Sequence, residues 1–310
     1  MCYIIGGPTA SGKSKLALWL AQHVDGEIIN ADSLQLYKSI PILTAAPDNA
    51  ELAQTRHHLF GIYYDNQIST AQDWVELARI TINDVRKRQK MPIIVGGTGM
   101  YLHALTNGLS PVPNIDEDIK LLTRKLQQDL SKKEFYDYVI ENDPIIEGVL
   151  HPNDTQRLGR ALEVVLQTGR SIKSFQGKAA PVIDSIKKFI LVMPEKSRLY
   201  NLIDARVLKM LDEGVIQEVQ TLKQKISLDA PVCKAIGIKE IWQYLDGQIT
   251  KKEMIFLLQQ ATRQYAKRQI TWFKNQVDDA LLITNPFDSS QITQLVQRKS
   301  TSFALEKTAS

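Results

Sequence analysis

The most constraining stretch of the chain is "YIIGGPTASGKSKLALWLAQHV", residues 3–24. A short apolar, β-prone run leads into Gly7-Pro8-Thr9-Ala10-Ser11-Gly12-Lys13-Ser14, and a helical pattern follows with Leu16, Ala17, Leu20, Ala21 and Val24 on one face. The eight residues fit G-x-x-x-x-G-K-[ST] at every defined position, between a strand and a helix. Backbone N–H groups and the helix N-terminus then form an anion cradle, Lys13 adds a point charge, and Ser14 can ligate Mg²⁺. The pattern leaves the phosphate itself open. A diphosphate fits such a cradle as well as the end of a triphosphate.

Enzymes that cut a γ-phosphate normally carry a further strand ending in an acid that holds Mg²⁺. The corresponding stretch here is "MPIIVGGTG", residues 91–99, with glycines where the acid would stand. "EIINAD" (27–32) reads as another strand, with Asp32 just past its end, and "KKFILVMP" (187–194) as a fourth. Ser69 or Thr70 can cap a long helix with the stripe Ala71, Trp74, Ala78, Ile82 and Val85. This alternation predicts an α/β fold, a P-loop NTPase-like parallel sheet core flanked by helices. Residues 116–180 carry helical patterns with no β-prone run, which predicts a helical insertion. The expected division is a discontinuous core over 1–115 and 186–290 with C-terminal helices, an insertion over 116–185, and a polar tail over 291–310.

At 310 residues the chain has room for one large or two smaller domains, and its net charge of +4 is a mild basic bias. Cys2 and Cys233 give neither a disulfide framework nor metal-ligand spacing, so reduced thiols in the cytoplasm are expected. No charged segment precedes a long apolar run, so no signal peptide is expected. No apolar run approaches the ~20 residues of a membrane span.

Several groups point to chemistry. Asp32 stands where sites collect in such sheets, and it can hold a metal through water, accept a proton, or simply cap the next turn. Ser33 and Gln35 beside it are able to read a base edge or are ordinary turn polarity. Gly96, Gly97 and Gly99 permit close backbone approach, and Thr98 presents a hydroxyl there. Arg157 and Arg160 lie one helical turn apart, opposite a stripe of Leu158, Ala161, Leu162 and Val165, and suit either solvent or a phosphate backbone. Arg206, at the edge of the stripe Leu199, Ile203, Met210, either snorkels to water, the more common outcome, or reaches toward the anion site. In "RQYAKRQITWFK" (263–274) Arg263, Lys267, Arg268 and Lys274 alternate with Tyr265, Trp272 and Phe273, a pattern of nucleic-acid binding that an amphipathic helix also produces.

Taken in order, "GPTASGKS", "NADSLQLYK", "HHL", "VGGTGMYLHAL", "HPND..R..RALEV", "IGIKE" and "KRQITWF" resemble the tRNA dimethylallyltransferases, also called tRNA isopentenyltransferases, from residue 3 to about 275. The resemblance implies a loop that holds the diphosphate of dimethylallyl diphosphate with Mg²⁺, Ser14 and diphosphate oxygens being its ligands. It implies transfer of the five-carbon group to N6 of the adenosine 3′ of the anticodon. Asp32 matches the family's general base, Arg206 an arginine of the diphosphate site, and Thr98 a threonine that touches the target nucleotide; Lys13 completes the implied catalytic set. Asp32, Ser33, Leu34 and Gln35, then Gln156, Arg157 and Arg160, then Lys234 and Lys239, and finally Lys267, Arg268, Trp272 and Lys274, fall in segments matching the family's contacts to the anticodon stem-loop of tRNA. A monomer is the default. Leu43, Ala46, Leu202 and Ile238 depart from the family's usual glycine, lysine, arginine and tyrosine. Three rivals remain: a relative that prenylates free adenine nucleotides, a P-loop small-molecule kinase, and an RNA-binding protein with a relict P-loop.

Overall fold

In the computed structural model, residues 1–175, 177, 180–183 and 185–285 are described, so the polar tail expected over 291–310 lies outside the described residues. β1 (Cys2–Gly6) leads through the anion loop into α1 (Lys13–Val24). β2 (Gly26–Asn30) is followed by the short helices α2 (Pro41–Thr44) and α3 (Asn49–Gln54). Next come β3 (His57–His58), α4 (Ala71–Lys87), β4 (Met91–Gly96) and α5 (Gly99–Asn107). Three helices, α6 (Glu117–Asp129), α7 (Lys132–Asn142) and α8 (Thr155–Thr168), come before β5 (Ile186–Val192). The chain continues through α9 (Lys196–Asp212), α10 (Val215–Lys223), α11 (Ile238–Leu245), α12 (Lys251–Gln276) and β6 (Leu281–Ile283).

The six strands form one sheet in the order β3-β2-β4-β1-β5-β6, and every pairing is parallel. β1, β2 and the last five residues of β4 are fully buried. Strands covered on both faces read as continuous apolar runs rather than as alternation, which is why "YII" and "PIIV" signal them so clearly. The two edge strands, β3 and β6, are two and three residues long and leave no such run. Thr70 caps α4 by accepting the Asp73 N–H, and Asp25, in the left-handed region, ends α1.

The chain divides into two compact units, one of residues 1–106 with 182–310 and one of residues 107–181. The first holds the sheet, with Leu16, Leu20, Ile28, Ile93 and Val192 in the core between α1 and the strands. The second, among its described residues, contains helices and no strand. Phe135, Val139, Leu158, Ala161 and Leu162 make its core, and Val164 is buried where Val165 is only partly so. No helix among the described residues is long and apolar enough to cross a membrane.

Glu27 ties three elements of the sheet unit together. It is nearly buried on β2, accepts from Arg88 after α4 at 2.7 and 3.1 Å, and meets His58 Nε2 of β3 at 2.6 Å. Those partners, Arg88 first, outweigh desolvation and hold its carboxyl down at about 2. A depressed carboxyl stabilises the fold above its unfolded value of 4.5, and that contribution fades as pH falls toward 2. Glu27→Gln is expected to cost about 2–3 kcal/mol at pH 7. In urea unfolding the difference from wild type should shrink steadily below about pH 4.5.

Candidate functional site

β1, β4 and β2 lie side by side, so the segments leaving their C-terminal ends meet at one edge of the sheet. After β1 comes the anion loop. Gly7, Ala10 and Gly12 take positive φ there, and Gly12, at φ 92°, starts α1 with no side-chain cap. The first N–H groups of α1 therefore stay available to an anion. Ser11 is fully buried, and its hydroxyl has no hydrogen-bond partner. A buried unsatisfied hydroxyl costs roughly 1–3 kcal/mol, which an anion in the loop would recover.

The loop borders a cavity of about 770 Å³ that also contains Lys13, Ser14, Asp32 and Arg206. Lys13 Nζ donates to the Pro8 carbonyl at 2.6 Å. Burial pushes its pKa down to about 8, Asp32 works against that shift, and Arg206 adds to it. Arg206 does not snorkel. It donates to Thr9 Oγ1 at 2.9 Å and to the Leu43 carbonyl at 3.2 Å, which aims the guanidinium at the loop. Its pKa is also lowered by burial, against the pull of Asp32. Two cations thus share a cavity with Asp32 and have donors to spare, an arrangement suited to a polyanion.

Asp32 owes its position to Asn30, which sequence reasoning passed over. Asn30 is fully buried. Its Oδ1 accepts the Asp32 N–H at 2.8 Å, and its Nδ2 donates to the carbonyls of Asp32 and Leu59, both at 2.9 Å. Trp74 Nε1 donates to the Asn30 carbonyl at 2.8 Å. Asp32 Oδ1 accepts the Leu34 N–H at 3.0 Å, so the turn-capping reading holds, and Asp32 also lines the cavity. The hydroxyl of Thr98 accepts the Ser33 N–H at 3.0 Å and donates to Ser33 Oγ at 3.3 Å, joining the two turns. Leu34 and Gln35 also line the cavity, but Gln35 Nε2 is committed to the carbonyls of Thr44 and Ala45 at 3.0 and 2.8 Å.

The glycines of "GGTG" serve packing. A Cβ at Gly97 would stand 2.2 Å from Gln269 Nε2, and one at Gly99 would stand 2.2 Å from the Trp272 ring. This clearance lets α12 lie against the turn. Gln269, also unanticipated and only 6% exposed, accepts the Thr9 N–H at 2.8 Å and donates to the Gly97 carbonyl at 2.9 Å. One side chain so braces the anion loop against the Thr98 turn. No regular spacing marks it, because it sits among basic and aromatic neighbours in a segment that reads as a surface.

The other expected contacts are on the surface. Lys234, Lys239, Lys267, Arg268 and Lys274 are exposed, and Trp272 is half-buried against Gly99. Gln156, Arg157 and Arg160 belong to the helical unit, where Arg157 pairs with Asp154 at 2.8 Å and Arg160 with Glu163 at 3.1 Å. Of the departures, Leu43 and Ile238 are buried in one core cluster, while Ala46 and Leu202 line the cavity. Among the described residues no group of three or more His, Cys, Asp or Glu side chains could hold a metal ion.

Because free Lys13 titrates near pH 8, inorganic diphosphate should bind with proton uptake above that pH. Calorimetry at pH 8.5 in buffers of different ionisation enthalpy is expected to show the uptake, and Lys13→Met to abolish it while weakening binding at least tenfold. Gln269→Leu leaves the Thr9 N–H and the Gly97 carbonyl without partners. It is expected to weaken diphosphate binding roughly tenfold with the helical circular dichroism unchanged.

Residues 35–276 match the family model described as IPP transferase. The chain is 40% identical over 295 residues to a tRNA dimethylallyltransferase of Rickettsia bellii, covering 94% of each. With the Rhizobium johnstonii protein of the same name the identity is 42% over 282 residues, covering 89% of this chain and 94% of that one. Among solved structures it is similar to the full-length tRNA isopentenylpyrophosphate transferase of Bacillus halodurans, with a TM-score of 0.69, 31% identity, and coverage of 96% and 95%. A eukaryotic dimethylallyltransferase acting on tRNA gives a TM-score of 0.81 at 29% identity, covering 96% of this chain and 77% of that one. With a family model matching most of its length and relatives at 40% identity over nearly the whole chain, this protein is a prenyltransferase and belongs to the IPP transferase family of tRNA dimethylallyltransferases.

Proposed function

We infer that this chain transfers the dimethylallyl group of dimethylallyl diphosphate to N6 of the adenosine just 3′ of the anticodon in tRNA, giving N6-isopentenyladenosine. One observation carries the reading: Asp32 shares a cavity with a two-cation anion site, so a base and a leaving-group site face the same space. The exocyclic amine of adenine is a poor nucleophile because its lone pair is delocalised into the ring. As the new C–N bond forms and the allylic C–O bond breaks, Asp32 takes the N6 proton. General-base assistance of this kind contributes about 10²–10⁴-fold. Lys13, Arg206, the loop amides and Ser11 meet the charge that grows on the departing diphosphate. Thr98 and Ser33 hold the acceptor turn.

A divalent cation, Mg²⁺ in this reading, neutralises further charge on the diphosphate when bound. Ser14, which lines the cavity, would supply the protein's ligand beside diphosphate oxygens. The acceptor contacts are Asp32 to Gln35, Lys234, Lys239 and the outward residues of α12, together with Gln156, Arg157 and Arg160 of the helical unit. That unit, expected over 116–185, is read as a tRNA-contacting insertion, and the protein as a cytoplasmic monomer. Because the anticodon loop is single-stranded, presenting an unstacked adenosine is less costly than in a duplex.

The test is transfer of labelled dimethylallyl diphosphate to unmodified tRNA and, in parallel, to AMP, ADP and ATP. Label in tRNA alone is expected. Label in the free nucleotides would move the activity to the nucleotide-prenylating reading. Asp32→Asn is expected to lower kcat by about 10²–10⁴-fold with diphosphate affinity little changed, and an undiminished kcat would remove Asp32 as the base.

A further inference from the structure

Resting on that acceptor reading, we propose that Tyr64 and Lys38 form a stacking platform for a nucleobase of the single-stranded loop that carries the reacting adenosine. Tyr64 is 68% exposed, and Lys38 Nζ sits 4.5 Å from the centre of its ring. Neither residue lines the donor cavity.

The ring is exposed but its loop is tightly held. Backbone bonds from Gly61 N–H to the Gln35 carbonyl (2.9 Å), Tyr63 N–H to the Leu36 carbonyl (2.7 Å) and Lys38 N–H to the Tyr63 carbonyl (3.1 Å) zip residues 61–63 onto the segment leaving Asp32. The hydroxyl of Tyr37 donates to the Gln67 carbonyl at 2.7 Å, and the Tyr64 N–H donates to Gln67 Oε1 at 2.6 Å. Ser39 Oγ donates to Asp65 Oδ1 at 2.5 Å. On the other side the Asp65 carbonyl accepts the Val232 N–H at 3.3 Å, joining the loop to the turn Pro231–Lys234. The backbone of the Tyr64 loop is therefore held to Gln35, Leu36 and Lys38 on one side and to Val232 on the other, next to the segments 32–35 and 234–239 that the acceptor reading assigns to RNA.

A tyrosine on a pre-ordered loop presents a large π face with little conformational entropy left to lose. Every base has a complementary face, so the stack is tolerant of sequence. Lys38 covers the ring with a cation and brings a positive charge to the phosphate beside the stacked base. With 68% of its surface exposed, this tyrosine is not part of the buried core.

The test uses the full chain and an anticodon stem-loop RNA with 2-aminopurine next to the reacting adenosine. Wild type is expected to bind the RNA and to change the 2-aminopurine fluorescence through stacking. Tyr64→Ala should weaken RNA binding about tenfold and lose the fluorescence change, whereas Tyr64→Phe, which keeps the ring, should restore both. Lys38→Ala should weaken binding and lower its salt dependence by about one phosphate contact. Inorganic diphosphate affinity should be the same in all four proteins. Tyr64→Ala that binds RNA as tightly as wild type, with the fluorescence change intact, overturns the platform and leaves the acceptor reading standing. A wild-type protein that ignores the stem-loop but prenylates AMP overturns both.

Discussion

Lys13 and Arg206 lie in one cavity, and neither is neutralised by a carboxylate hydrogen-bonded to it. Burial lowers the pKa of both, so their positive charge is costly in the empty protein and is stabilised when an anion arrives. Much of the surrounding structure holds that arrangement in place. Thr9 and the Leu43 carbonyl orient Arg206, and Glu218 fixes the peptide that carries Leu43 by accepting the Ile42 and Leu43 N–H groups at 2.7 and 2.9 Å. The fully buried Ser11 hydroxyl, without a partner, completes a site whose electrostatics are unfinished without a ligand.

α12 works on two sides. Lys267, Arg268 and Lys274 are exposed, while Gln269 and Phe273 are buried. Phe273 packs where β1 turns into the anion loop, since a Cβ on Gly6 would come within 2.8 Å of its ring. Gln269 braces that loop against the Thr98 turn, and Trp272 closes over Gly99. The same helix thus presents cations outward and holds the anion loop and the Thr98 turn together on its inner side.

The departures from the family pattern divide along the same line. Leu43 lines the cavity and offers its carbonyl to Arg206, while its side chain also packs in the core beside Gly237 and Ile238. Ile238 extends that core. Ala46 and Leu202 instead put apolar side chains on the cavity wall.

The sequence by itself determined the parallel α/β architecture and the strand–loop–helix placement of the phosphate motif, because buried parallel strands and that motif are written in contiguous residues. It also carried the family, through seven ordered blocks. The edge strands escaped it, since two or three residues produce no pattern of their own and are strands only by pairing with β2 and β5. The local residue pattern left Arg206 open between water and the anion site, and tertiary structure decided that it turns inward, because its partners Thr9 and Leu43 lie 197 and 163 residues away. The same holds for Gln269, which meets Thr9 across 260 residues. Hydrogen bonds between such distant positions leave no local periodicity, and only the folded chain brings their ends together.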